Sequence, residues 1–317
     1  MMDKNKKDFR LLRPRSTSAA ITDGYRLYLD NFRKIFRATW LMAVIYAIGS
    51  GLLMNFLTTL LPGYFVSLAI QLQTPDNEAA GSLFLGSHLM LISAIIMFSV
   101  CSALLAGFGF SLLAEHRDTN GLTPPKRWFG KVQKKMLLRT LIAWCSLLVF
   151  VLLYLVAGDV IVYYARQYLS SLAMLTVTGL GVLVLLLVLP PVLLWLFSYV
   201  LDVKQRVVGR QPFPARYWGS ALLITMVVAI LTGVLTVITA LPAFVLFFAN
   251  LTSQIGTLQG DPSGMPDYML WLNIVVFTLA GFIQAYVHLS SLFPLYYLHG
   301  SVEAQEQERK SLNTRQA

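Results

Sequence analysis

Six long apolar stretches divide this chain, at about residues 38–61, 83–114, 137–163, 172–203, 219–249 and 269–299, with short polar segments between them. A helix rises 1.5 Å per residue, so about 20 residues cross the roughly 30 Å hydrocarbon layer of a bilayer. Every one of the six is long enough. In lipid a backbone must satisfy its own polar groups, so these stretches are predicted as helices. The fold class expected is all-α, a polytopic membrane protein with six transmembrane helices. The second stretch exceeds the bilayer and is expected to tilt or project. The first is too long for a cleaved signal and is expected as a retained span.

A different pattern precedes the first stretch. Ile21, Tyr25, Tyr28, Phe32, Ile35 and Phe36 recur at helical spacing, with Arg26, Asp30, Arg33, Lys34 and Arg37 set largely elsewhere. Such a helix suits the headgroup region, and it also suits packing on protein. Thr17 or Ser18 is the predicted cap. Similar basic aromatic entries return at Pro124–Leu141 and Pro212–Leu223. Proline is favoured at a helix start, where its missing N–H costs nothing. The second spans of each pair also end alike, in SLLAEHRDTNG, SYVLDVKQRVVG and PLYYLHGSVEAQE. The expected organisation is a flexible basic arm over 1–16, one membrane domain over 17–300, and a cytoplasmic tail over 301–317. Within the domain, repeat units fall at about 17–114, 121–207 and 209–300. Each is a hairpin preceded by a basic interfacial amphipathic helix.

The YLDNFRKIFRATW entry, the three hairpins and the aromatic exits SYVLDVKQRVVG and LYYLHGSVEAQE carry a resemblance. Over about residues 17–307 the chain resembles the six-span membrane domain of some bacterial glycerophosphodiester phosphodiesterases and related bacterial inner-membrane families of unassigned function. The resemblance implies a membrane module. The phosphodiesterase activity would need a further large stretch with carboxylate and histidine metal ligands, for which these 317 residues have no room.

Charge fixes the expected orientation. Ten Lys/Arg precede the first span, seven lie between spans two and three or at the very start of span three, four between spans four and five, and three in the tail; only Arg166 falls on the other side. The positive-inside rule then places both termini in the cytoplasm, and the resemblance implies an inner membrane. Composition agrees, with 56% hydrophobic and only 13% charged residues. A soluble surface needs about twice that charge. The net charge of +10 sits beside spans, so anionic phospholipid is the expected partner, and no nucleic-acid motif is present. The predicted headgroup contacts are Arg26, Arg33, Lys34, Arg37, Lys126, Arg127, Lys131, Lys134, Lys135 and Arg216.

Chemistry is sparse. No phosphate loop, nucleophile elbow, zinc-protease or dinucleotide motif is present. Cys101 and Cys145 lie in apolar spans without metal-ligand spacing, so no cofactor or metal is expected. His88 and His116 stand near opposite ends of span two. Asp159 and Asp202 lie near span ends, where water is close. Intramembrane polar residues are costly and therefore of interest. Gln284 and His288 share one face of span six, Asn273 lies near it, and span one adds Asn55. These four could line a polar path, or they could bond between helices. No catalytic constellation emerges. A non-enzymatic module or scaffold in lipid or envelope processes is expected, with a transporter or permease component as the alternative.

Overall fold

The computed structural model describes residues 11–73, 78–119, 121–122, 130–168, 171–201, 217–258, 266 and 268–316. Seven helices follow in order among them: α1 (Thr17–Asp30), α2 (Phe32–Gln73), α3 (Glu78–Thr119), α4 (Lys131–Tyr168), α5 (Ser171–Leu201), α6 (Trp218–Leu258) and α7 (Tyr268–Gln316). No strand occurs among the described residues. The all-α expectation therefore holds. Among the described residues, five helices carry stretches long and apolar enough to cross a membrane: Phe32–Thr58, Ser93–Thr119, Gly179–Leu201, Trp218–Ser253 and Tyr268–Asn313. This suits a membrane-embedded protein. The third expected span, about 137–163, lies in α4, which is not among the five.

Several helices run past the ends of the apolar stretches. α2 continues past Pro62 to Gln73, and α6 continues past Ala249 to Leu258. α7 absorbs most of the expected tail and ends at Gln316. Hydropathy marks where lipid contact stops, but a helix stops only where backbone bonding stops.

The expected single entry helix is two. Ser16 caps α1, not Thr17 or Ser18; its backbone is extended and its hydroxyl accepts from the Ala19 N–H at 3.3 Å. Asn31 then interrupts the helix. Its side-chain amide donates to the Leu27 carbonyl at 3.1 Å, and its own carbonyl accepts from the N–H groups of Lys34 and Ile35. One asparagine thus closes α1 and starts α2. The basic run 32–37 forms the first turns of the long helix.

The chain divides into two compact units. The first holds residues 1–38, 106–231 and 290–317; the second holds 39–105 and 232–289. In the first unit Tyr296, Tyr297, Phe293, Leu113, Leu194, Leu27 and Ile35 are fully buried. α4 packs on α5. α1 meets α7 at backbone distance: a Cβ on Gly24 would lie 2.5 Å from Pro294 N and 2.6 Å from its Cα. Tyr28 sets its ring edge-on to Phe293 at 5.1 Å. The apolar face of α1 is thus spent on protein, where the sequence favoured a membrane surface.

In the second unit α2 and α7 also approach closely through small residues. A Cβ on Gly51 would lie 2.5 Å from Thr278 Oγ1, and one on Gly281 would lie 2.9 Å from Ser50 Cβ and 3.2 Å from Ala47 Cα. α6 joins through a cluster of Ala243, Phe277 and Ala280, with Met54, Leu246 and Val276 packed against it.

Candidate functional site

The four polar candidates all fall in the second unit, and they separate into two levels. Asn273 is buried and its Oδ1 has no hydrogen-bond partner. Asn55 is half-buried, and its backbone carbonyl accepts from Thr58 Oγ1 at 2.7 Å. Gln284 and His288 are also half-buried. They lie eleven and fifteen residues along α7 from Asn273, about 16 and 22 Å of helix. His288 packs against the Tyr46 ring, with centroids 6.1 Å apart. The backbone of α7 between the two levels lies against Ser50 and Ala47 at Gly281. One shared face on α7 therefore does not make one continuous group of contacts.

A fifth residue belongs with them. Asn250 on α6 is 1% exposed, and neither its Oδ1 nor its Nδ2 has a partner. The sequence placed it in a polar connection after span five. The signal that would have found it is its spacing, seven residues after Ala243 and four after Leu246, which keeps it on the packed face of α6.

In the first unit one buried cation is paired. Arg15, with a side chain 4% exposed, donates from Nε to Asp23 Oδ2 at 3.0 Å and from Nη1 to the Leu11 carbonyl at 3.0 Å. Its guanidinium lies over the Tyr297 ring at 4.5 Å. Its backbone N–H donates to Ser301 Oγ at 2.8 Å, and that hydroxyl donates back to the Arg15 carbonyl at 3.2 Å. Leu11 is buried against Gly300; a Cβ there would also stand 2.7 Å from the Leu11 carbonyl oxygen. Residues 11–16 of the expected arm are thus clasped to α7. Deeper in this unit His116 Nδ1 and Tyr296 OH share a hydrogen bond of 3.0 Å, and Arg117 pairs with Glu303 at 3.3 Å. A small cavity of about 30 Å³ lies beside the clasp, lined by Arg15, Ser16, Tyr217, Ser220, Ser301 and Gln305 among others. That is room for about one or two waters.

The predicted headgroup contacts divide by position. Arg26, Arg33, Lys34, Arg37, Lys134 and Lys135 are exposed. Leu29, Phe32 and Phe36 are exposed beside the first four, at 68%, 40% and 39%. Lys126, Arg127 and Arg216 lie outside the described residues, as does the side chain of Lys131. Arg139, also basic, turns inward; it donates to the Tyr199 carbonyl at 3.1 Å and lies over that ring.

Among the described residues no group of three or more His, Cys, Asp or Glu side chains could hold a metal. No family model, curated protein or solved structure matched the chain.

Proposed function

We propose that the protein is a multi-pass inner-membrane module in lipid or envelope processes, which holds anionic phospholipid headgroups on basic segments at its cytoplasmic face. The observation that carries this reading is the surface of Arg26, Arg33, Lys34 and Arg37, exposed around Leu29, Phe32 and Phe36. Exposed apolar rings among guanidinium and ammonium groups suit the boundary between acyl chains and phosphates. The charge asymmetry of the connections supports six spans, three hairpins and cytoplasmic termini. The resemblance to the phosphodiesterase-linked membrane domain is consistent with such a module.

The test is lipid retention by the purified protein in neutral detergent, titrated with phosphatidylglycerol or phosphatidylcholine. Phosphatidylglycerol is retained preferentially, and salt weakens it. At about 1 kcal/mol per charge, the combined Arg33→Gln, Lys34→Gln and Arg37→Gln variant weakens binding about a hundredfold. Equal retention of both lipids, indifferent to salt, overturns the reading.

A second reading, a transporter or permease component with a polar path along α7, is favoured by the burial of Asn273. Replacing Gln284 and His288 together by leucine then abolishes a transport phenotype at unchanged protein level. A retained phenotype removes it.

A further inference from the structure

Three carboxamides of the second unit fall at one level of three helices. α2 and α7 run antiparallel there, because Gly51 lies against Thr278 while Ala47 and Ser50 lie against Gly281. α6 and α7 are antiparallel by connection. Only residues 259–267 separate them. That length of extended chain reaches about 35 Å, against about 60 Å for α6 itself. Ala243 shares a cluster with Phe277 and Ala280. Two turns onward from Ala243 is Asn250. One turn back from Phe277, and two from Ala280, is Asn273. Asn55 is one turn onward from Gly51. Each asparagine stays on the face of the residue it is counted from, because spacings of four and seven return to the same side of a helix.

This layer holds the orphaned amides of these spans, and Thr232 and Thr236 of α6 also bury unpartnered hydroxyls. Thr58 and Thr239 return their hydroxyls to carbonyls of their own helices. Asn250 Oδ1, Asn250 Nδ2 and Asn273 Oδ1 do not, and all three atoms are sealed from solvent. A buried amide without a partner is costly, and leucine would fill similar volume without that cost. The closed arrangement therefore works against itself at this level.

We propose that Asn55, Asn250 and Asn273 form an occluded site for water and small uncharged hydroxyl-bearing solutes, filled when α6 separates from α2 and α7. The orphaned atoms define the class. Two are acceptors and one is a donor, and a hydroxyl serves both. The three residues are neutral, so an ion would enter without compensation. The sealed geometry requires the helices to part before anything enters. This deepens the polar-path reading and moves its centre from Gln284 and His288 to the asparagine layer. It is independent of lipid binding by the basic surface.

The test uses the full chain in lipid nanodiscs, with Cys101→Ala and Cys145→Ala as background. Asn273→Cys and Phe277→Cys are introduced singly and treated with methyl methanethiosulfonate, a small uncharged reagent that attacks the thiolate. A thiolate forms only where water reaches, so the rate reports hydration. Asn273→Cys reacts at least tenfold faster than Phe277→Cys, and adding Asn250→Leu removes most of the difference. Asn250→Cys, with Asn273 intact, gives the same contrast should Asn273→Cys fold poorly. Equal rates at 273 and 277, whether both slow or both fast, overturn the proposal. Lipid retention is unchanged in every arm, which separates this result from the outcome of the lipid titration.

Discussion

Arg15 in the first unit and Asn250 in the second are both buried polar side chains, and they differ in what they meet. Each unit buries polar side chains against α7. In the first unit the buried guanidinium of Arg15 is bonded to Asp23 and to the Leu11 carbonyl, and His116 meets Tyr296. In the second unit the amide of Asn250 bonds to nothing. Buried hydrogen-bonded networks rigidify, and orphaned polar groups cost free energy. The difference teaches which buried polar groups stabilise this molecule and which cost it. The first unit is held by the pairing of Arg15 and by the close approach of α1 to α7. The second is bound by small residues at one level and destabilised by amides at the next.

This contrast can be broken by substitution. The largest effect falls on Gly24→Val in the first unit. Its Cβ would meet the backbone of Pro294, which cannot rotate away. Stability drops by about 3 kcal/mol or more, and α1 becomes a site of limited proteolysis. An undigested α1 would refute the close crossing. Next is Arg15→Leu, which removes the paired contacts of a buried cation and lowers stability by about 2–3 kcal/mol, measured by unfolding in detergent. A loss below about 0.5 kcal/mol, the level of an ordinary surface change, would show that the clasp holds little. The third has the opposite sign. Asn250→Leu in the second unit removes an unpaired amide and raises stability by about 1–2 kcal/mol. A comparable fall would mean that the amide is paired. The smallest is Gly233→Ala, also in the second unit, where a Cβ meets nothing within 4 Å. It raises stability by about 0.5–1 kcal/mol through helix propensity. Gly51→Ala, facing Thr278, lowers it, so the two together separate propensity from packing.

The apolar stretches were plain in the sequence because lipid selects for them over many residues at once. Glycines 49, 51 and 107 each have a neighbour closer than an added Cβ would allow. Gly179 faces open space, because composition does not say which side of a helix has a partner. The entry pattern from Ile21 to Phe36 misled for a similar reason. It assumes one helical phase, and Asn31 resets it, so Tyr28 and Ile35 are buried while Phe32 and Phe36 face outward. Of the candidate site, Asn55 and Asn273 were visible as polar residues in spans. Asn250 was hidden by the assumption that helix and bilayer end together. The Arg15–Ser301 clasp was beyond reach, since nothing local in residues 11–16 announces a partner at the far end of the chain.

That clasp has a consequence for biogenesis. Arg15 and Ser301 are 286 residues apart. At ribosomal rates of about 5–20 residues per second, the N-terminal segment waits on the order of tens of seconds for its counterpart. Over that interval Leu11 and Arg15 lack the partners they meet on α7. The clasp can close only on a chain translated as far as Ser301. Proteolysis within Leu11–Ser16 would therefore distinguish a chain that stops short of Ser301 from one that includes it.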